Sequence, residues 1–121
     1  HPVATDLAII DALAFHDTIG IARKSARLRW LQRYWTERVR DLPNVVFNSP
    51  RTEARTAGIA NVGVRAIAPG ELARRLLAEF GLFTVAIDGA GVHGVRITPH
   101  LFTTTAELDQ LVAALQELAT A

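Results

Sequence analysis

The sequence contains no cysteine. Disulfides, thiolate metal sites and thiol nucleophiles are thereby excluded, and a cytoplasmic location is the expectation. Methionine is also missing, even at position 1, so the chain is expected to be processed or cut from something longer. Of the 13 basic residues only Lys24 is a lysine, and chemistry that needs an interior amine must use it or borrow one. No apolar run approaches the roughly 18–20 residues of a membrane span, so no membrane partner is expected. The opening "HPVATD" lacks a basic n-region and an apolar h-region and does not read as a signal peptide.

What is present points to one globular domain. Half of the 121 residues are apolar and the formal net charge is +1, which fits neither a disordered tail nor a polyelectrolyte. Residues 5–19 read as a helix whose apolar set (Leu7, Ile9, Ile10, Leu13, Phe15, Ile19) surrounds most of it. A helix apolar on most sides wants cover on most sides, so a missing neighbour is expected there. After Gly20 a second helix runs to about Asp41, with Ile21, Leu28, Leu31, Trp35, Val39 and Leu42 as its stripe. Arginines fill much of its remaining surface.

"VVF" (45–47) reads as a short strand and "GIANVGVRAI" as an alternating one, with Ala60, Val62 and Val64 on one side and Asn61 on the other. "PGELARRLLAEFG" is a helix with Pro69 in its first turn, Leu72, Leu76, Leu77 and Phe80 inside, and Gly81 at C′. "LFTVAI" and "GVRIT" are strands around a glycine loop. The last helix opens on a capping box, Thr104 with Glu107, and carries Leu108, Leu111, Val112, Leu115 and Leu118. The order ααββαββα predicts an α+β fold, a small, mostly antiparallel sheet with helices packed on one face. Residues 1–121 form a single domain, divided into a helix pair (1–42) and an α+β sandwich (43–121).

Gly89, Gly91 and Gly94 spell G-x-G-x-x-G, but a dinucleotide turn needs a helix directly after the glycines. "VRITP" is a strand pattern, so the loop reads as a flexible hairpin connection. Arg96 sits mid-strand, with Val95 and Ile97 pointing the other way. It is either an arginine on a solvated face or a rigid fork presented to a carboxylate. The basic second helix, with Trp30 and Tyr34, raises a nucleic-acid reading, but the near-neutral charge favours a solvated face and no nucleic-acid partner. His16, His93 and His100 with Asp88 match no metal-ligand spacing, so no metal is expected.

"GVRITPHLFTTTAELDQLVAALQELA" closely resembles the C-terminal segment of class V aminotransferase-like, pyridoxal phosphate (PLP)-dependent enzymes of fold type I, which include cysteine desulfurases and isopenicillin N epimerase-like proteins. The resemblance rests on Arg96, "TPHLFTT", Glu107, Asp109 and Leu111. It extends back through the helix pair and "VVFNSP", over nearly the whole chain.

The resemblance implies a C-terminal small domain of an enzyme acting on an amino acid. Arg96 would grip the substrate's α-carboxylate. Asp88, Gly89, Gly91 and His93 would belong to the loop lining the substrate mouth. It also implies PLP in a parent enzyme that is a homodimer, a large domain covering the first helix, and no cofactor on this chain alone. The cofactor's lysine, its acidic partner and its phosphate pocket would all lie in that large domain, so the chain alone is expected to be inactive. With no cysteine, desulfuration through a loop cysteine is excluded. The competing reading is a free-standing α+β module that binds a small carboxylate ligand or a protein partner.

Overall fold

The computed structural model describes residues 2–120. Its elements follow the expected order: α1 (Val3–Ile19), α2 (Ile21–Val39), β1 (Val45–Phe47), β2 (Ala60–Val64), α3 (Pro69–Phe80), β3 (Val85–Gly89), β4 (Val92–Ile97) and α4 (Thr105–Thr120). A single 3-10 turn at Glu53–Arg55 interrupts the connection between β1 and β2. The four strands form one antiparallel sheet in the order β1-β2-β4-β3. Among the described residues no helix is long and apolar enough to cross a membrane.

The core lies on one face of the sheet. Ala60, Val62, Val64, Val95 and Ile97 project from it into a layer formed by α2, α3 and α4. Leu31, Trp35 and Val39 of α2 are fully buried, and the Trp35 ring lies 5.7 Å from that of Phe47. Full burial of such side chains contributes about 1.5–3 kcal/mol each. Every residue of the α4 stripe read from the sequence is buried. A hydrogen bond from the Tyr34 hydroxyl to Asp109 Oδ1 (2.8 Å) ties α2 to α4, and its acceptor pushes the Tyr34 phenol above its ordinary value.

Residues 2–28 depart from this pattern. No residue of α1 is buried, and Ile21 of α2 is exposed although the stripe placed it inside. Gly20, at φ 85°, lets α1 leave the axis of α2 through a backbone conformation that a side chain would strain. The domain therefore begins to close around α2 at about Leu28. Leu77, expected inside, is also exposed, since Leu72 and Leu76 already fill the contact between α3 and the sheet.

The capping box forms as the sequence requires. Glu107 N–H donates to Thr104 Oγ1 (3.2 Å), while Thr104 N–H donates to Glu107 Oε2 (2.8 Å). The bond from Thr104 N–H, with a second from the Thr104 hydroxyl (3.0 Å), holds the Glu107 carboxyl below its ordinary 4.5. Because its folded pKa is the lower one, its contribution is complete above pH 4.5 and is lost as pH falls through the folded value. Thr104→Ala should cost about 1 kcal/mol in urea denaturation at neutral pH. The gap to the parent chain should narrow in acid. A gap that widens in acid would show that the box does not form.

Candidate functional site

β4 is hydrogen-bonded on both sides, to β2 and to β3, so its alternation is fixed by two ladders. Val95 and Ile97 enter the core, and Arg96 stands exposed on the opposite face, as the sequence pattern requires. Its cross-strand neighbours are Asn61 in β2 and Val85 in β3. Among the described residues Arg96 has neither an ion-pair nor a hydrogen-bond partner. Arg74 and Arg75, by contrast, are clamped by Glu71 and Glu79. A guanidinium held at its base by a two-sided ladder and free at its tip suits a planar oxyanion.

Three polar side chains beside it carried no weight in the sequence reading. Asn48 Nδ2 donates to Asn61 Oδ1 (2.7 Å) and to the His93 carbonyl (3.1 Å), and Asn61 N–H donates to Ser49 Oγ (2.9 Å). The network pins the end of β1 across β2 to β4. The available signal was Asn61 itself, an amide at an outward position directly opposite Arg96.

The floor of this face is backbone. A Cβ at Gly94 would lie 2.5 Å from both Asn61 Oδ1 and the Val62 carbonyl, and one at Gly63 would lie 2.7 Å from the His93 carbonyl. The last glycine of the G-x-G-x-x-G pattern is thus explained by close strand approach. A shallow cleft of about 220 Å³, bordered by Val46, Asn48, Gly63, Arg65 and His93, opens at this end of the sheet.

The loop expected to be flexible is a tight hairpin. Gly89 pairs with Val92, and only Ala90 (φ 51°) and Gly91 (φ 78°) form the turn. Two positive φ values in a two-residue connection suit the right-handed twist of the strands. Asp88 and His93 are cross-strand partners, with Nδ1 2.5 Å from Oδ1. Alternation sets them on the face opposite Arg96. The structure brings Asp88 and His93 to each other, not to the arginine.

Lys24, the one lysine, lies on the arginine-rich α2. It is half-buried, its Nζ is 3.3 Å from His16 Nδ1, and it borders an apolar cleft of about 460 Å³ together with Ile21, Leu28, Ile59 and Leu101. The cleft's lining includes neither a carboxylate to pair with a pyridinium nitrogen nor an arginine for a phosphate. These residues do not fit PLP, and no cofactor chemistry is assigned to them.

The remaining constellations are dispersed. His16 and His100 border the apolar cleft while His93 pairs with Asp88, and among the described residues no group of three or more His, Cys, Asp or Glu could hold a metal ion. On α2, Arg27 stacks on Trp30 and Arg38 on Tyr34, so both rings are engaged within the chain.

No protein-family model matches the chain, and no curated protein matches it significantly. Solved structures do share its fold. A cysteine desulfurase from Thermococcus onnurineus NA1, solved in its apo form, aligns with a TM-score of 0.74 at 20% identity, over 86% of this chain and 28% of its own. An alanine–glyoxylate aminotransferase from Nostoc sp. aligns with a TM-score of 0.61 at 17% identity, over 89% of this chain and 29% of its own. The chain spans less than a third of either. At 20% identity and below, the likeness is one of fold.

Gly94→Ala should lower stability by about 1–3 kcal/mol, because the new methyl meets the Val62 carbonyl and cannot be accommodated by a side-chain rotation. An unchanged urea midpoint would show that β2 and β4 do not approach this closely.

Proposed function

We propose that this chain is the C-terminal small domain of a class V aminotransferase-like PLP-dependent enzyme, and that Arg96 anchors the α-carboxylate of its amino-acid substrate. The observation that carries the reading is the placement of Arg96. Among the described residues it is a partner-free guanidinium, on the strand that is paired on both edges, in a domain whose fold is shared with a desulfurase and an aminotransferase. The "VRITPH" resemblance picks out the same residue.

In this reading the chain contributes orientation. A bidentate arginine fixes two oxygens of the carboxylate and so the direction of the neighbouring Cα substituents, which is a large part of catalysis on amino acids. The cofactor, with the lysine and acid that serve it, belongs to a larger partner domain, since the residues around Lys24 do not fit it. Helix α1 is the docking element for that domain. Val3, Leu7, Ile10 and Leu13 are each about 60% exposed or more, an apolar surface of the kind that marks an interface. The complete enzyme works as a homodimer in the cytoplasm.

Two outcomes follow. In the complete protein, Arg96→Lys keeps the charge and loses the fork, and should cut kcat/KM for the amino acid by roughly 10–100-fold. An unchanged kcat/KM would remove Arg96 from the site. In this chain alone, Ile10→Lys should change stability by no more than about 0.5 kcal/mol, because the side chain is 66% exposed, and should reduce binding of an apolar dye. A large loss of stability would mean that α1 packs within the domain.

A further inference from the structure

A second concentration of arginine lies away from Arg96, between α2 and the connection that follows β1. It is a cavity of about 170 Å³ bordered by Arg29, Gln32 and Arg33 from α2, by Arg40 just past its end, and by Arg51 from the connection. Glu37 and Glu53 also border it, so four guanidinium groups face two carboxylates and a positive excess remains. The pairing is loose: Arg33 lies 3.4 Å from Glu53, and Arg51 lies 3.7 Å from Asp41. Arg40 rests over the Phe47 ring, and burial, followed by repulsion from Arg51, pushes its guanidinium below the ordinary arginine value.

Two donors make this more than a charged surface. Gln32 is only 3% exposed, and among the described residues its buried Nε2 has no hydrogen-bond partner; the same holds for the buried Nε of Arg29. An unpartnered buried donor is costly, and both belong to residues that border the one cavity.

We propose that this cavity is a binding site for a phosphate-class anion, independent of Arg96. With Asp41 counted beside Arg51, one positive charge remains in excess, so the charge calls for an anion and the placement of the donors selects its shape. Donors reach the cavity from α2 on one side and the β1 connection on the other, which suits tetrahedral oxygens better than the two oxygens of a planar group. The volume admits a phosphoryl group but falls below the roughly 300–1,000 Å³ of pockets that enclose whole ligands. The site therefore takes free phosphate or the phosphoryl end of a larger molecule.

The test uses this chain in phosphate-free buffer at constant ionic strength, titrated with inorganic phosphate, glycerol phosphate and acetate. The Arg29 Nε–H and Gln32 side-chain amide resonances report binding, with the thermal midpoint as a second readout. Saturable shifts at both residues with phosphate are expected, with acetate at least about tenfold weaker. Tighter binding of glycerol phosphate than of phosphate would identify a phosphoryl end as the ligand, and the reverse would identify the free ion. Arg51→Ala should weaken phosphate binding roughly three- to tenfold, whereas Arg74→Ala, which removes the same charge from α3, should not. Gln32→Leu should raise the thermal midpoint without phosphate while weakening phosphate binding, the opposed pair of effects expected when a buried polar group is kept for a ligand. Shifts that do not saturate, equal losses in the Arg51 and Arg74 variants, acetate binding as tight as phosphate, or unchanged affinity in Gln32→Leu would each overturn the proposal.

Discussion

The two-sided pairing of β4 is the constraint on which the rest depends. A strand hydrogen-bonded to β2 on one edge and β3 on the other cannot slip by one residue without taking Val95 and Ile97 out of the core. The same register that buries those side chains holds Arg96 outward opposite Asn61. Position and stability of the candidate site are therefore one property. The glycines at 63 and 94 serve that register as well, because the strands come too close there for a Cβ.

Cover is uneven around this frame. From Leu31 onward α2 is packed against α4 and the sheet, its inner positions filled by Leu31, Trp35 and Val39. Toward its N-terminus the helix leaves the domain, and beyond Gly20 α1 has no buried residue. Glu107 and Asp109, two residues of the terminal motif, have structural work: one closes the cap of α4 and the other holds Tyr34 of α2. That part of the motif explains the fold, whereas Arg96, like His100 and Phe102, stands exposed.

The elements with a strong period were legible in the sequence. The α4 stripe, the capping box, the α3 boundaries and the outward direction of Arg96 all follow from spacing and local chemistry, as does the order of elements along the chain. The misplacements share one cause, which is tertiary. Ile21 fits the α2 stripe, but nothing packs over the first turns of that helix; Leu77 fits the α3 pattern, but Leu72 and Leu76 already occupy the contact. The glycine loop looked flexible because spacing alone does not reveal that Gly89 and Gly94 are ladder residues and only Ala90 and Gly91 turn. The network of Asn48, Ser49 and Asn61 was illegible because it joins residues brought together only by the pairing of β1, β2 and β4.

The account treats this chain as the substrate-orienting part of a larger catalyst, with α1 as the surface that meets the remainder. The most direct test of that claim is the intact mass of the protein as it is expressed from its gene, set against the 13.2 kDa of this chain. The account predicts a product several times heavier, with a lysine-bearing cofactor domain that covers α1. A product of this chain's own mass would contradict it, since Arg96 would then have no cofactor to serve and α1 no domain to meet.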